Sequence, residues 1–442
     1  MINLNFDLNN KLGSFKPLNA TNGGPVCRRH TKNQPRSNFE TYKEARIPYS
    51  RNHDSGNKPI YGGPFSHDVM SIFPNFDADP YDPASYDFEC TDESLLISQD
   101  AGTETFYRLG QTIEHQIKKH HTLPPKDFKK WAIICEHIIR HYNEGWANGL
   151  KLDIKYWEIW NEPDLRDDDS PNKSTWGGTK AQFFDFYEVA AKHLKECFPN
   201  LKIGGPALAW NEEWGYDFLV EMKKRGVEID FFSWHVYTTL PRGIIEKAGR
   251  IRKMLDETGY DKCESILNEW NYLAGWTAER YGPSLEGARG IQGACYIMAT
   301  MSLAQASNDV DMLMYYCTCA SVFNGIFEYY TLKPFKGYYA LKWYGMFYDM
   351  QSELRCECDD EKIYTLCGID KDDKTLCVVT HYCSKFADNY SEETKEVTVN
   401  LKKDAKYEIY LLDAEHDGEL IDTTSNLTFT MKPDTSILIK EI

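Results

Sequence analysis

The sequence predicts an α/β (β/α)8 TIM barrel followed by a C-terminal β-sandwich, and three observations point to it. Between residues 100 and 350, six short β-branched or aromatic runs are each followed by a longer amphipathic segment, the rhythm of a parallel α/β fold. Two further strand-helix units fit into the first hundred residues, which brings the count to eight and favours a closed barrel over an open sheet. After residue 350 the pattern changes to short alternating runs separated by Asp, Asn, Lys and Gly, with no helical period, as in a sandwich of about ninety residues.

In chain order, strands are expected near Leu18–Asn22, Ala45–Tyr49, Thr105–Leu109, Ile154–Trp160, Lys202–Pro206, Asp230–Tyr237, Ser265–Trp270 and Asp311–Tyr316. The clearest helix lies between Lys126 and Trp146, where Phe128, Trp131, Ala132, Cys135, Ile138, Ile139 and Tyr142 recur at three- and four-residue steps. A second runs from Thr179, a cap candidate, to Phe198 and turns Phe183, Tyr187, Ala190, Ala191 and Leu194 inward. Others are expected over residues 287–307 and 337–350. The Pro- and Asp-rich stretch 74–88 reads as a long ordered loop, placed to close a pocket. The expected domains are residues 16–350 for the barrel and 351–442 for the sandwich, with residues 1–15 adding a strand to the latter.

Composition narrows the function. With 50 basic and 67 acidic residues and a formal net charge of −17, a phosphate-tracking surface is excluded as the main function, and nucleic acid with it. No apolar stretch approaches the roughly twenty residues of a membrane span, and the N-terminal segment has no signal-peptide pattern. Thirteen scattered cysteines suit reduced thiols, so the expected location is cytoplasmic.

Residues 156–165, YWEIWNEPDL, carry the strongest chemical signal. A strand ending at Pro163 puts Asn161 and Glu162 at its carboxyl end, where barrel active sites are built. Alone, such a pair is more often a capping carboxylate. A second strand, Ser265–Trp270, also ends in a glutamate, Glu269, three strands further round. Two carboxyl groups facing each other across a barrel mouth are what glycoside hydrolysis needs, one to protonate the leaving oxygen and one to attack or support the anomeric carbon. Between them, the two-residue spacing of His235 and Tyr237 puts both on one strand face.

These motifs resemble the retaining glycoside hydrolases of the large (β/α)8 superclan, and more closely family 39, with its β-xylosidases and α-L-iduronidases. The resemblance rests on residues 19–25 (NATNGGP), 108–115 (RLGQTIEH), 124–132 (PPKDFKKWA), 158–164 (EIWNEPD), 202–207 (KIGGPA), 233–237 (SWHVY) and 267–270 (LNEW). It implies Glu162 as general acid/base, Glu269 as nucleophile and Asn161 as the partner of the sugar's 2-hydroxyl. It also implies that His235 and Tyr237 line the site of the cleaved sugar, and that Asn52 and His53 contact it. The tail of the barrel departs from the family: Tyr316 stands near the xylosidases' Trp, and Asn324-Gly325 near their acidic pair. Tyr316 is therefore expected to bind the sugar, and some other terminal glycoside is expected to be a better substrate than an aryl β-xyloside, unless Glu328 takes over the hydroxyl contacts.

The expected function is a retaining exo-glycosidase, β-xylosidase-like, that acts on short oligosaccharides or glycosides by double displacement. The rivals are an α-L-iduronidase-like or arabinosidase-like enzyme on the same barrel, and a non-catalytic carbohydrate-binding protein. No cofactor or metal is expected, because two carboxylates suffice for the reaction and the Cys317-Thr-Cys319 and Cys356-Glu-Cys358 pairs lack zinc spacing. The expected partner is a small glycoside, with no nucleic acid and no membrane, and assembly into a homo-oligomer is left open. Trp157, Trp160, Trp210, Trp214, Trp234, Trp270 and Trp276 near the strand ends are read as platforms for sugar rings.

Overall fold

The period of two along a strand decides what the centre of this molecule contains. A computed structural model describes residues 1–26, 37–53, 66–318, 325–402 and 404–442. A first strand, β1 (Ile2–Asn5), lies apart from the barrel. Eight parallel strands then close on themselves: β2 (Ala20–Asn22), β3 (Tyr49–Arg51), β4 (Glu104–Leu109), β5 (Tyr156–Ile159), β6 (Lys202–Leu208), β7 (Phe231–Tyr237), β8 (Glu264–Asn271) and β9 (Met312–Tyr315).

Ala20, Phe106, Tyr156, Phe231, Ile266, Met312 and Met314 form one apolar cluster inside this ring. Two residues further along the same strands, the side chains are polar: Asn22, Arg51, Arg108, Glu158, Ser233 and Asn268, all buried. An apolar plug thus supports a polar layer toward the carboxyl ends of the strands, which is the face that carries function in barrels. Positions of opposite parity, such as Tyr107, Trp157, Ile203, Phe232, Trp234 and Leu267, belong to the separate core shared with the outer helices.

Those helices begin where the sequence places caps. Asp127 accepts the Lys130 N–H at 3.0 Å and opens helix Phe128–Asn143. Thr179 and Gln182 form a reciprocal capping box at the start of helix Lys180–Cys197. The expected 287–307 helix is two segments, Ala278–Arg289 and Ile291–Ala306, and the expected 337–350 helix ends at Met346 before a 3-10 turn.

The second barrel strand needs correcting, because Ala45 caps the short helix Phe39–Glu44 and the strand starts only at Tyr49. Its last residue is a buried arginine, which read as loop in the sequence. Segment 74–88 holds one 3-10 turn, Pro83–Ser85, and is otherwise irregular. Its rings pack on the outer helix, with Tyr81 and Tyr86 against His137, Tyr86 against Trp146 and Phe88 stacked on His141.

Beyond the barrel, β10 (Ser352–Leu354), β11 (Ile363–Ile369), β12 (Thr375–His381), β13 (Lys395–Asn400), β14 (Tyr407–Leu412), β15 (Asp417–Thr424), β16 (Thr428–Met431) and β17 (Thr435–Glu441) form two sheets. Their orders are β10-β11-β12-β17-β14-β15 and β1-β13-β16, with β1 parallel to β13. Leu4, Val397, Val399, Cys367, Cys377, Ile409 and Ile439 fill the space between them. The larger sheet also meets helix Ile291–Ala306, where Gln292 donates to Asp434 at 2.9 Å. Among the described residues, no helix is long and apolar enough to cross a membrane.

Candidate active site

Arg51 organises the polar layer. Its Nε donates to Glu158 Oε2 at 2.7 Å, its Nη2 to Asn161 Oδ1 at 2.6 Å and its Nη1 to Asn22 Oδ1 at 3.2 Å, and Nη1 also lies 3.4 Å from Glu269 Oε2. Burial works against the guanidinium charge, and the carboxylates of Glu158 and Glu269 outweigh it, so the pKa of Arg51 is above its ordinary value. Glu158 is held from its other side by Ser233 Oγ at 2.6 Å and by Asn268 Nδ2. A charge in the middle of a barrel strand requires such partners, because an uncompensated buried ion is costly.

Above this layer the strand ends converge. Regular alternation in β5 stops at Trp160, whose φ of 75° turns its indole outward among Trp131, Trp176 and Phe186. The side chain of Asn161 then points to Arg51. Glu162 follows with φ 50°, its N–H bonded to the Ala207 carbonyl at 3.0 Å and its carbonyl accepting from Thr175 Oγ1 at 2.5 Å. A non-glycine residue held in the left-handed region is strained by about 1–3 kcal/mol and is typical of functional sites. Asp164 stabilises the turn, its carboxylate accepting the N–H groups of Ala209, Trp210 and Asn211 at 2.7–2.9 Å.

His235 and Tyr237, on one face of β7, reach the two glutamates, and His235 Nδ1 also lies 3.8 Å from Glu269 Oε2. A 2.8 Å hydrogen bond joins His235 Nδ1 to Glu162 Oε1, and Tyr237 Oη donates to Glu269 Oε1 at 2.5 Å. A ring nitrogen of His235 and one carboxylate oxygen from each of Glu162 and Glu269 all lie within 4.8 Å of one another. Burial lowers the His235 pKa to about 4, against the raising effect of Glu269, so the ring is neutral near pH 7. Burial also raises the Glu269 carboxyl above its ordinary value, while His235, Arg51 and the Tyr237 hydrogen bond pull it back down. The Tyr237 phenol, pushed far up by burial, stays a donor. Asn161 Nδ2 and His235 Nε2 are buried without a hydrogen-bond partner among the described residues.

The other expected site residues are more scattered in role. His53 is buried, its ring 6.3 Å from that of the half-buried Tyr316, and burial with the charges of Arg51 and Arg108 holds its pKa well below the usual imidazole value. Asn52 accepts the Arg108 N–H at 2.7 Å through its side chain, which binds two strand ends together. Asn324 lies outside the described residues and Gly325 is buried. Glu328 is engaged elsewhere: its carboxylate accepts the N–H groups of Tyr330 and Thr331 at 2.9 and 2.5 Å and closes a surface turn.

Most of the expected tryptophan platforms are core residues. Trp157, Trp234 and Trp270 are buried because the strand parity that points carboxylates inward points these rings out to the helices, Trp160 is turned outward by its positive φ, and Trp214 is buried on helix Glu212–Lys224. Only Trp210 and Trp276 of that group are exposed, at 59% and 65%. Sequence reasoning passed over Arg51, Glu158 and Asp164. Glu158, a charge inside an otherwise apolar strand, was the available signal.

Among the described residues, two donor sets have metal-like spacing: Glu162, His235 and Glu269, and, on the outer helices, Glu136, His193 and Cys197. In the first, the Arg51 guanidinium already supplies positive charge to Glu269. In the second, Glu136 is paired with both Arg140 and His193. Cys356 and Cys358 pack against the sandwich core, and Cys319 lies outside the described residues.

The family model for glycosyl hydrolases family 39 matches residues 40–286, more than half of the chain and the stretch that contains both glutamates. The chain belongs to family 39. A beta-xylosidase of Geobacillus stearothermophilus is 35% identical over 175 residues, an alignment covering 35% of this chain and 33% of that protein. An alpha-1,4-L-rhamnosidase of Formosa agariphila is 28% identical over 117 residues, covering 26% of this chain and 22% of that protein. The chain thus aligns with about a third or less of the length of these curated relatives. In fold, the chain is similar over its whole length to a glucosidase from Croceicoccus marinus, with a TM-score of 0.80 at 21% identity and 99% of that chain covered. It is also similar to a monomeric beta-xylosidase from Caulobacter crescentus, with a TM-score of 0.71 at 17% identity and 99% of that chain covered.

Proposed function

We propose that this family 39 protein is a retaining exo-glycosidase that removes a terminal sugar from short oligosaccharides or glycosides. The observation that carries this reading is the close approach of Glu162 and Glu269, with carboxylate oxygens within 4.8 Å of one another. Retaining enzymes hold their two carboxyl groups about 5–5.5 Å apart, whereas inverting ones need about 6.5–9.5 Å to admit a water between carboxylate and sugar. In the proposed cycle, Glu269 attacks the anomeric carbon as Glu162 gives its proton to the departing oxygen, leaving a sugar ester on Glu269. Water then enters on the Glu162 side and loses a proton to Glu162, its oxygen bonds to the anomeric carbon, and the ester bond breaks.

The surroundings fit these roles. Arg51 and Tyr237 hold Glu269 in place and favour its anion against the effect of burial. The neutral His235 ring beside Glu162 can accompany a carboxyl that alternates between acid and base without adding a charge of its own. The unpaired Asn161 Nδ2 offers a donor to the sugar's 2-hydroxyl, a contact of the kind that strengthens in the transition state. His53 and Tyr316 lie at the same strand ends and complete the pocket wall in this reading. A cytoplasmic location belongs to the same proposal and is supported by the thirteen cysteines, of which the described ones are free thiols.

The 35% identical relative, a beta-xylosidase, supports a β-xyloside as substrate. The rhamnosidase relative and the tyrosine at 316 favour a second reading, another terminal glycoside on the same machinery. A panel of aryl glycosides covering β-xyloside, β-glucoside, α-L-arabinoside, α-L-rhamnoside and α-L-iduronide separates the two. The relatives reverse the preference expected from the barrel's tail, so highest kcat/KM on β-xyloside is the expected result; a different best sugar establishes the second reading, and no turnover on any glycoside contradicts both.

A further inference from the structure

Two tryptophans stand out of the packing near the barrel mouth, and their tethers place them on different sides of it. Trp276 lies against Tyr237, with ring centroids 5.6 Å apart, and stacks on Tyr281 at 6.0 Å. Through Tyr237 it belongs to the Glu269 side. Trp210 belongs to the other side. Its backbone N–H is bonded to Asp164 at 2.9 Å, its neighbours Ala209 and Asn211 are bonded to the same carboxylate, and Ala207 accepts the N–H of Glu162 itself. Four hydrogen bonds therefore fasten the loop that carries Trp210 to the turn that carries Glu162. Its indole is nonetheless 59% exposed, while Trp214, one helical turn further on, is buried.

In a double displacement the acid must reach the glycosidic oxygen, so the departing group lies on the acid's side of the mouth. We propose that Trp210 is the platform of a subsite for the leaving sugar, stacking its indole on the apolar C–H face of a pyranose ring. This deepens the proposed glycosidase reading and rests on Glu162 being the acid. The rigid tether matters, because a ring held in place by its backbone costs little further ordering when a sugar binds. The same subsite receives an incoming sugar in the second half-reaction. There the acceptor's hydroxyl oxygen attacks the anomeric carbon, its proton passes to Glu162 and the ester bond to Glu269 breaks, giving a transfer product in place of the hydrolysis product.

That competition supplies the test. The best aryl glycoside of the panel serves as donor, and the ratio of transfer to hydrolysis is measured with two acceptors, the matching methyl glycoside and methanol. Losing an aromatic contact worth about a factor of ten should cut the ratio for the sugar acceptor about tenfold in Trp210→Ala, with the ratio for methanol, which has no ring to stack, unchanged within about twofold. Trp210→Phe should recover most of the ratio. An unchanged sugar ratio, or an equal fall for sugar and methanol, overturns the platform. Absence of turnover in the unsubstituted protein would instead contradict the glycosidase reading itself, so the two failures are distinguishable.

Discussion

Replacing Glu162 by alanine is expected to lower kcat by about 10²–10⁴-fold on glycosides with poor leaving groups, the range typical of removing a positioned acid/base group. On a 2,4-dinitrophenyl glycoside the first step should be nearly unaffected, because that group departs without a proton. Azide should then restore turnover, since a small anion fits the space left by the carboxylate and needs no base to attack the sugar ester, and the product should be a glycosyl azide with the substrate's configuration. Geometry supports this expectation: Glu162 is fixed by its backbone in a strained turn and is hydrogen-bonded to a histidine that is neutral near pH 7. Equal losses of kcat/KM, which reports the first step, on both substrates would exclude Glu162 as the acid.

The second large effect concerns Arg51. Substituting methionine removes the guanidinium that, among the described residues, reaches Glu158, Asn161 and Glu269 together. Glu158 would be left as a buried carboxylate with, among the described residues, only Ser233 and Asn268 as donors. Breaking a buried pair from one side typically costs about 3–5 kcal/mol, because the remaining charge is uncompensated. Thermal unfolding should therefore show a marked loss of stability in Arg51→Met. Adding Glu158→Gln should recover much of it, as the two substitutions share one ion pair and are not additive. Activity should not recover in the double variant, because Glu269 and Asn161 would still lack their donor. A stable, fully active Arg51→Met would contradict the role given to this residue.

Much of the barrel was legible because its signals are local. A strand of alternating apolar residues and a helix with one apolar stripe are read from neighbours in the chain, and so are caps such as Asp127 and Thr179. Glu162 and Glu269 were legible for a related reason, since each closes a recognisable strand. Arg51 and Glu158 were not, because their pairing joins strands 107 residues apart and neither residue advertises its partner. The three-residue strand that ends in Arg51 lacked the apolar run that marks its longer neighbours. Strand β15 carries no such signal at all: its side chains are nearly all exposed, and its backbone ladder with β14 makes it a strand. The tryptophans show a third limit. Their number suggested sugar platforms, yet a single residue's parity decides between core and cleft, and the turn at Trp160 reverses it.

The central claim is that two closely spaced carboxylates act in succession on the same anomeric carbon. Proton NMR of the first sugar released from an aryl glycoside, recorded before mutarotation, tests it most directly. Double displacement through Glu269 predicts a first-formed product with the anomeric configuration of the substrate. A product of inverted configuration would require direct attack by a water held between carboxylate and sugar, in place of the proposed ester on Glu269, and would contradict the account.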